Sequence, residues 1–186
     1  MKILILIFIN LISYSSLAQT ENQKFVILSK IDGIEIREYS PAIYASVTIE
    51  ENKQNSTFRI LAGYIFGGNK ENQKISMTAP VHMEKNIIEG KESLTMKFVM
   101  PSKYKVEDLA EPNDSRIKIS ESKKKKFAAI RFSGYSNDEK INNFSKKLKN
   151  FLISNNISFV NNLIYLGYDP PYKFWGRKNE VLFEIN

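Results

Sequence analysis

The chain has 186 residues, 42% of them apolar, with 12 Phe, 9 Tyr and 5 Met, which is enough for one sizeable hydrophobic core. It has no cysteine and one histidine, which excludes disulfide scaffolds, zinc fingers, iron–sulfur sites, thiol nucleophiles and multi-histidine metal clusters. The 27 Lys and Arg against 20 Asp and Glu give a net charge of +7, a modest surplus for a nucleic-acid binder.

Residues 1–18 read as a cleaved secretory signal. Lys2 precedes the apolar run Ile3–Ile12, and Ser16-Leu17-Ala18 places small residues at a cleavage site before Gln19. The run is too short to span a bilayer, so residues 19–186 are expected as an exported single domain, periplasmic or secreted, and not an integral membrane protein.

Strands are predicted at Ile34–Ile36 and at Ala42–Ile49, where Ile43, Ala45, Val47 and Ile49 share one face. A helix is predicted at Thr57–Phe66, ended by Gly67-Gly68-Asn69. Alternation then predicts one strand through Ile75, Met77, Ala79, Val81 and Met83, and another through Leu94, Met96, Phe98 and Met100. The order recurs: strands at Ile117–Ser120 and Phe127–Phe132, a helix at Asp138–Ser154, and strands at Leu163–Tyr168 and Val181–Ile185. Ile36 matches Ile119, Val47 matches Ile130 and Met77 matches Tyr165, about 83–88 positions apart. The predicted class is α+β: two pseudo-repeated halves, about 25–103 and 115–186, with antiparallel strands curling into a distorted barrel and two flanking helices.

The second helix has a single apolar stripe through Ile141, Phe144, Leu148, Phe151 and Leu152. The first has a core stripe of Phe58, Leu61, Ala62 and Ile65, yet its other side carries Ile60, Gly63 and Phe66 beside Ser56 and Arg59. Such a face is either covered by a loop or offered to a ligand or partner. A flat apolar ligand across Gly63, with Arg59 on its carboxylates, fits the second reading.

His82 is either a hydrogen-bonded strand residue or a haem-iron ligand. Lys123–Lys126 reads as a solvated turn between strands, and no nucleic-acid partner is predicted. No phosphate loop and no pair of catalytic carboxylates stands out, so no catalytic residue is assigned. In the segment after Asp169-Pro170-Pro171, Tyr172, Phe174 and Trp175 stand beside Lys173, Arg177 and Lys178. That suits either a planar anionic ligand or a packed hairpin.

The blocks Ile34-Glu35-Ile36-Arg37-Glu38-Tyr39, Phe58-Arg59 through Asn69, Ile75 through Val81, Phe98 through Pro101, and Gly167 through Glu180 resemble the SOUL haem-binding family. The resemblance implies a duplicated, distorted antiparallel barrel with two helices. It also implies haem or a related porphyrin in a shallow apolar groove beside the first helix, without a known reaction. The family's ligand-contacting positions on that helix correspond to Ser56, Arg59 and Gly63. Where some relatives carry a histidine proposed to bind iron, this chain has Glu38, and His82 is not a family ligand position. The resulting expectation is an exported, non-enzymatic tetrapyrrole carrier or scavenger held by apolar area and propionate contacts. Two rivals are a protein-interaction module using the same helix face and a tetrapyrrole-modifying enzyme.

Overall fold

The structure is a computed structural model and describes residues 20–50, 54–88, 91–170 and 172–186. The predicted signal segment therefore lies outside the described residues.

Among the described residues, two α-helices and eleven strands follow in the order β1 (Glu21–Asn22), β2 (Phe25–Ile31), β3 (Ile34–Tyr39), β4 (Ile43–Glu50), α1 (Gln54–Ile65), β5 (Thr78–Ala79), β6 (Val81–Ile88), β7 (Lys91–Val99), β8 (Lys118–Glu121), β9 (Lys125–Ser133), α2 (Asp138–Ser154), β10 (Ile164–Gly167) and β11 (Lys178–Ile185). Nine strands form one antiparallel sheet in the order β2-β3-β9-β11-β10-β6-β7-β4-β8, which curls into a half-barrel. The two predicted halves meet at β6 and β10, where Met83 stands opposite Tyr165. Strands cross between the predicted halves: the β2–β3 hairpin joins the second through β3 and β9, and β8 joins the first through β4.

Both helices cover the same sheet face. Under α2, Leu148 and Leu152 pack with Ile130, Phe132, Val181 and Phe183. Under α1, Leu61, Tyr64 and Ile65 pack with Ala45, Val47, Met96 and Phe98. Met83 touches both clusters and joins them across the seam. A third cluster of Tyr39, Ala129, Ile164, Leu166 and Leu182 lies on the opposite face, inside the curl. Strand alternation produces this division, since odd residues of β11 face α2 and even ones face the curl.

Two expectations need correcting, and one strand was not predicted at all. The predicted strand through Ile75–Met83 is broken. Thr78 and Ala79 pair with β1, and the ladder resumes as β6 only after Pro80, which has no N–H to donate. The core stripe of α1 runs through Thr57, Leu61, Tyr64 and Ile65; Phe58 is 45% exposed and meets Phe98 edge-on. Finally, β2 escapes the period-two test, because Phe25-Val26-Ile27-Leu28 is a continuous apolar run on an edge strand.

Candidate functional site

The packing of α1 determines which of its residues remain outside. Leu61, Tyr64 and Ile65 are buried, and the Tyr64 hydroxyl donates to the Ala110 carbonyl at 3.0 Å. The helix stops as glycine chemistry predicts. Gly67 takes φ 108° and Gly68 N donates to Gly63 O at 2.8 Å, an approach that leaves no room for a Cβ at Gly68. Asn69 then ties the corner, donating to the carbonyls of Tyr64 and Gln73.

With that rotation set, Arg59, Gly63 and Phe66 are exposed, Ile60 is half-buried at the rim of the core, and Ser56 is half-buried at the first turn. These positions follow helical spacing and lie on one side. Phe66 is 70% exposed, and a Cβ built on Gly63 would meet nothing within 4 Å. Gly63 is therefore not required by any close approach within the described chain. It leaves a flat, open step between a guanidinium and a phenyl ring.

The segment between β10 and β11 is held by its own cations. Asp169 accepts from Lys173 Nζ and from the Lys178 backbone N–H, both at 2.6 Å. Arg177 donates to the carbonyls of Pro170 and Lys173, and its guanidinium lies 5.1 Å from the Tyr135 ring centre. The Lys178 ammonium sits 3.7 Å from the Tyr168 ring centre, and burial pulls its pKa below the usual lysine value. Lys173, Arg177 and Lys178 thus brace the segment. Tyr172, Phe174 and Trp175 remain exposed, Trp175 at 86%.

Arg177 also reaches the helix-bearing face. It lines a cleft of about 310 Å³ at the seam, walled by Met83, Leu94, Ile141, Leu163 and Tyr165. Sequence reasoning missed these liners, since Met83, Leu94 and Ile141 carry the same apolar signal as any core residue.

His82 lies elsewhere. It is buried on the sheet face away from the helices, with Nε2 2.8 Å from Gln23 Oε1 and its ring edge-on to Tyr44. Burial, reinforced by the charge of Lys97, pushes its pKa down to about 3, so the ring is neutral at ordinary pH. Glu38 is engaged in an ion pair with Lys124 at 2.6 Å. Among the described residues no group of three or more His, Cys, Asp or Glu side chains is placed to hold a metal ion.

The family model SOUL heme-binding protein matches residues 20–184. The chain belongs to the SOUL haem-binding protein family. Among relatives of this SOUL protein, heme-binding protein 1 of Xenopus tropicalis is 28% identical, covering 95% of this chain and 98% of that one. Heme-binding protein 2 of Mus musculus is 31% identical, covering 79% of this chain and 75% of that one. The SOUL fold seen here also resembles the EcmrR C-terminal domain, with a TM-score of 0.63 at 10% identity, covering 82% of this chain and 96% of that one. A hydrolase from Listeria innocua has a TM-score of 0.59 at 7% identity, covering 86% and 94%. These two likenesses concern the fold alone.

A SOUL protein's ligand can be tested against the residues present. A haem needs a flat apolar surface and a cation for its carboxylates, and the outer side of α1 supplies Ile60, Gly63, Phe66 and Arg59. None of these four side chains carries an iron-ligating atom. The face therefore offers area and charge, without coordination.

Proposed function

We propose that this chain binds haem or a related porphyrin non-enzymatically, on the outer side of α1, as a carrier or scavenger. The observation that carries the reading is the open step at Gly63, with exposed Arg59 and Phe66 on either side. Burying the exposed part of Phe66 and the edge of Ile60 under a macrocycle supplies the apolar gain, at about 25 cal/mol per Å². Arg59 meets a propionate in a charge-assisted hydrogen bond. Tyr172 and Trp175 are exposed aromatic area on the β10–β11 segment, whereas Arg177 is held by the Pro170 and Lys173 carbonyls and lines the seam cleft, so the proposal rests on the α1 residues. Ser56 borders the same helix side at its first turn.

Because the face has no iron ligand, haem and metal-free protoporphyrin should bind at one site with similar affinity, read by absorbance titration. Saturable binding of neither, or of haem alone, overturns the reading. Haem recovered with an intact macrocycle and its iron after incubation supports carriage over catalysis. Export is part of the proposal: cleavage before Gln19 predicts a mature N-terminus of Gln19-Thr20, which N-terminal sequencing of the exported protein tests.

A further inference from the structure

The sheet face turned away from both helices holds a solvent-open pocket of about 450 Å³, larger than the seam cleft. Strands from both halves contribute its wall, so it is the lumen of the half-barrel. A small curled sheet ordinarily fills such a space with side chains. Here it stays open although its wall is well ordered by packing: Tyr39, His82, Glu84, Ile164 and Leu182 are all buried.

The chemistry of the wall is specific. Tyr39, Tyr44 and Phe127 contribute aromatic rings, and Ile164 and Leu182 contribute aliphatic surface. Charges cancel where they occur: Glu84 pairs with Lys97 at 2.6 Å, and Lys125 pairs with Glu184 at 2.7 Å. Exposed Lys123 and Glu121 add one charge of each sign to the lining. His82 is neutral, and its Nε2 and the Tyr44 hydroxyl are both bonded to the Gln23 amide, which fixes the two rings. Tyr39 accepts from Arg37 at 3.2 Å, which fixes its ring in the wall. A guest with net charge would lose its hydration here without a surplus counter-charge. A flat, uncharged guest with donor and acceptor groups on its edge would find rings to stack on and hydrogen-bonding partners around it.

We propose that the lumen is a second binding site, separate from the outer side of α1, for a small uncharged heteroaromatic molecule of about two fused rings. Its recognition uses the rings of Tyr44 and Phe127 and the polar edge formed by Tyr39, His82 and Asn162. This does not depend on porphyrin binding at α1.

His82 is the chain's single histidine, so the imidazole of protein labelled with ¹⁵N-histidine reports on the lumen without assignment. Indole is the probe, with benzoate and benzylammonium as charged molecules of similar size. Indole should move the His82 signals saturably, equally in the native chain and in Arg59→Glu, and give NOEs to the Tyr44 and Phe127 rings. The charged probes should bind at least tenfold more weakly. An unmoved His82 signal, NOEs confined to Phe66 or Trp175, or equal binding of a charged probe overturns the proposal. Displacement of indole by one equivalent of haem overturns the separateness of the two sites.

Discussion

Arg37 and Glu180, 143 positions apart, form a two-pronged ion pair at 2.7 and 3.0 Å with both side chains almost wholly excluded from solvent. Arg37 sits on β3, through which the β2–β3 hairpin joins the second half, and Glu180 on β11 of the second half. Glu180 also accepts from Arg131 and Tyr168, and Arg37 also donates to Glu35 and lies 4.2 Å from the Phe25 ring centre. Burial alone would raise the Glu180 pKa, but hydrogen bonds and charge from Arg37 hold it below the ordinary 4.5.

Removing one partner strands the other charge in a dry interior. Glu180→Ala is expected to cost about 3–5 kcal/mol in urea unfolding. The double change Arg37→Met with Glu180→Leu should cost less than Glu180→Ala alone, because no buried charge is left unmatched. Equal losses would mean that the pair contributes packing and little else.

The buried His82 makes stability depend on pH in a window of its own. Its folded pKa, about 3, lies below the ordinary 6.5, so between these values the unfolded chain binds a proton that the folded chain refuses. Stability therefore falls as pH drops below 6.5, by about 1.4 kcal/mol per unit at full slope. Between pH 7 and 5 the expected loss is about 2 kcal/mol. The carboxylates Glu35 and Glu180, whose pKa values are lowered, keep their full contribution above about 4.5 and lose it only at lower pH. His82→Gln should flatten the profile between pH 6.5 and 5 while leaving the acid limb below 4.5. An unchanged slope in the variant would show that the histidine is not the titrating group.

How much of this was readable beforehand depends on whether a feature is local. The bounds of α2 were, because Asn137 caps it and one stripe of apolar residues runs its length. The unusual outer side of α1 was also readable, since Leu61 and Ile65 alone nearly determine the rotation of the helix. The choice of Tyr64 over Phe58 for the interior was not. It depends on the Ala110 carbonyl accepting from the Tyr64 hydroxyl, 46 positions away. The exchange of β3 and β8 between halves is likewise invisible to periodicity, which reports the faces of a strand and not its neighbours. The lumen follows from that exchange, so His82 could be given a strand face but no pocket.

Arg59 separates the porphyrin site from the fold. It is exposed on the outer side of α1, so Arg59→Glu should change unfolding stability by less than about 0.5 kcal/mol. Replacing an attraction to a propionate by a repulsion should weaken porphyrin binding by about tenfold, and the loss should shrink at high salt. Unchanged affinity in an absorbance titration would remove Arg59 from the site.

Gly63 allows stability and binding to be driven in opposite directions. It lies within α1, and nothing stands within 4 Å of the position its Cβ would take. Gly63→Ala should therefore stabilise the chain, by up to about 1 kcal/mol, through better helix propensity. Gly63→Leu should keep most of that gain while standing a branched side chain on the step between Arg59 and Phe66. If a macrocycle lies flat there, the leucine variant binds porphyrin at least tenfold more weakly, although it melts no lower than the native chain. A helix face that served only to be covered by the protein's own segments would show the opposite: loss of stability with bulk at residue 63, and no effect on porphyrin.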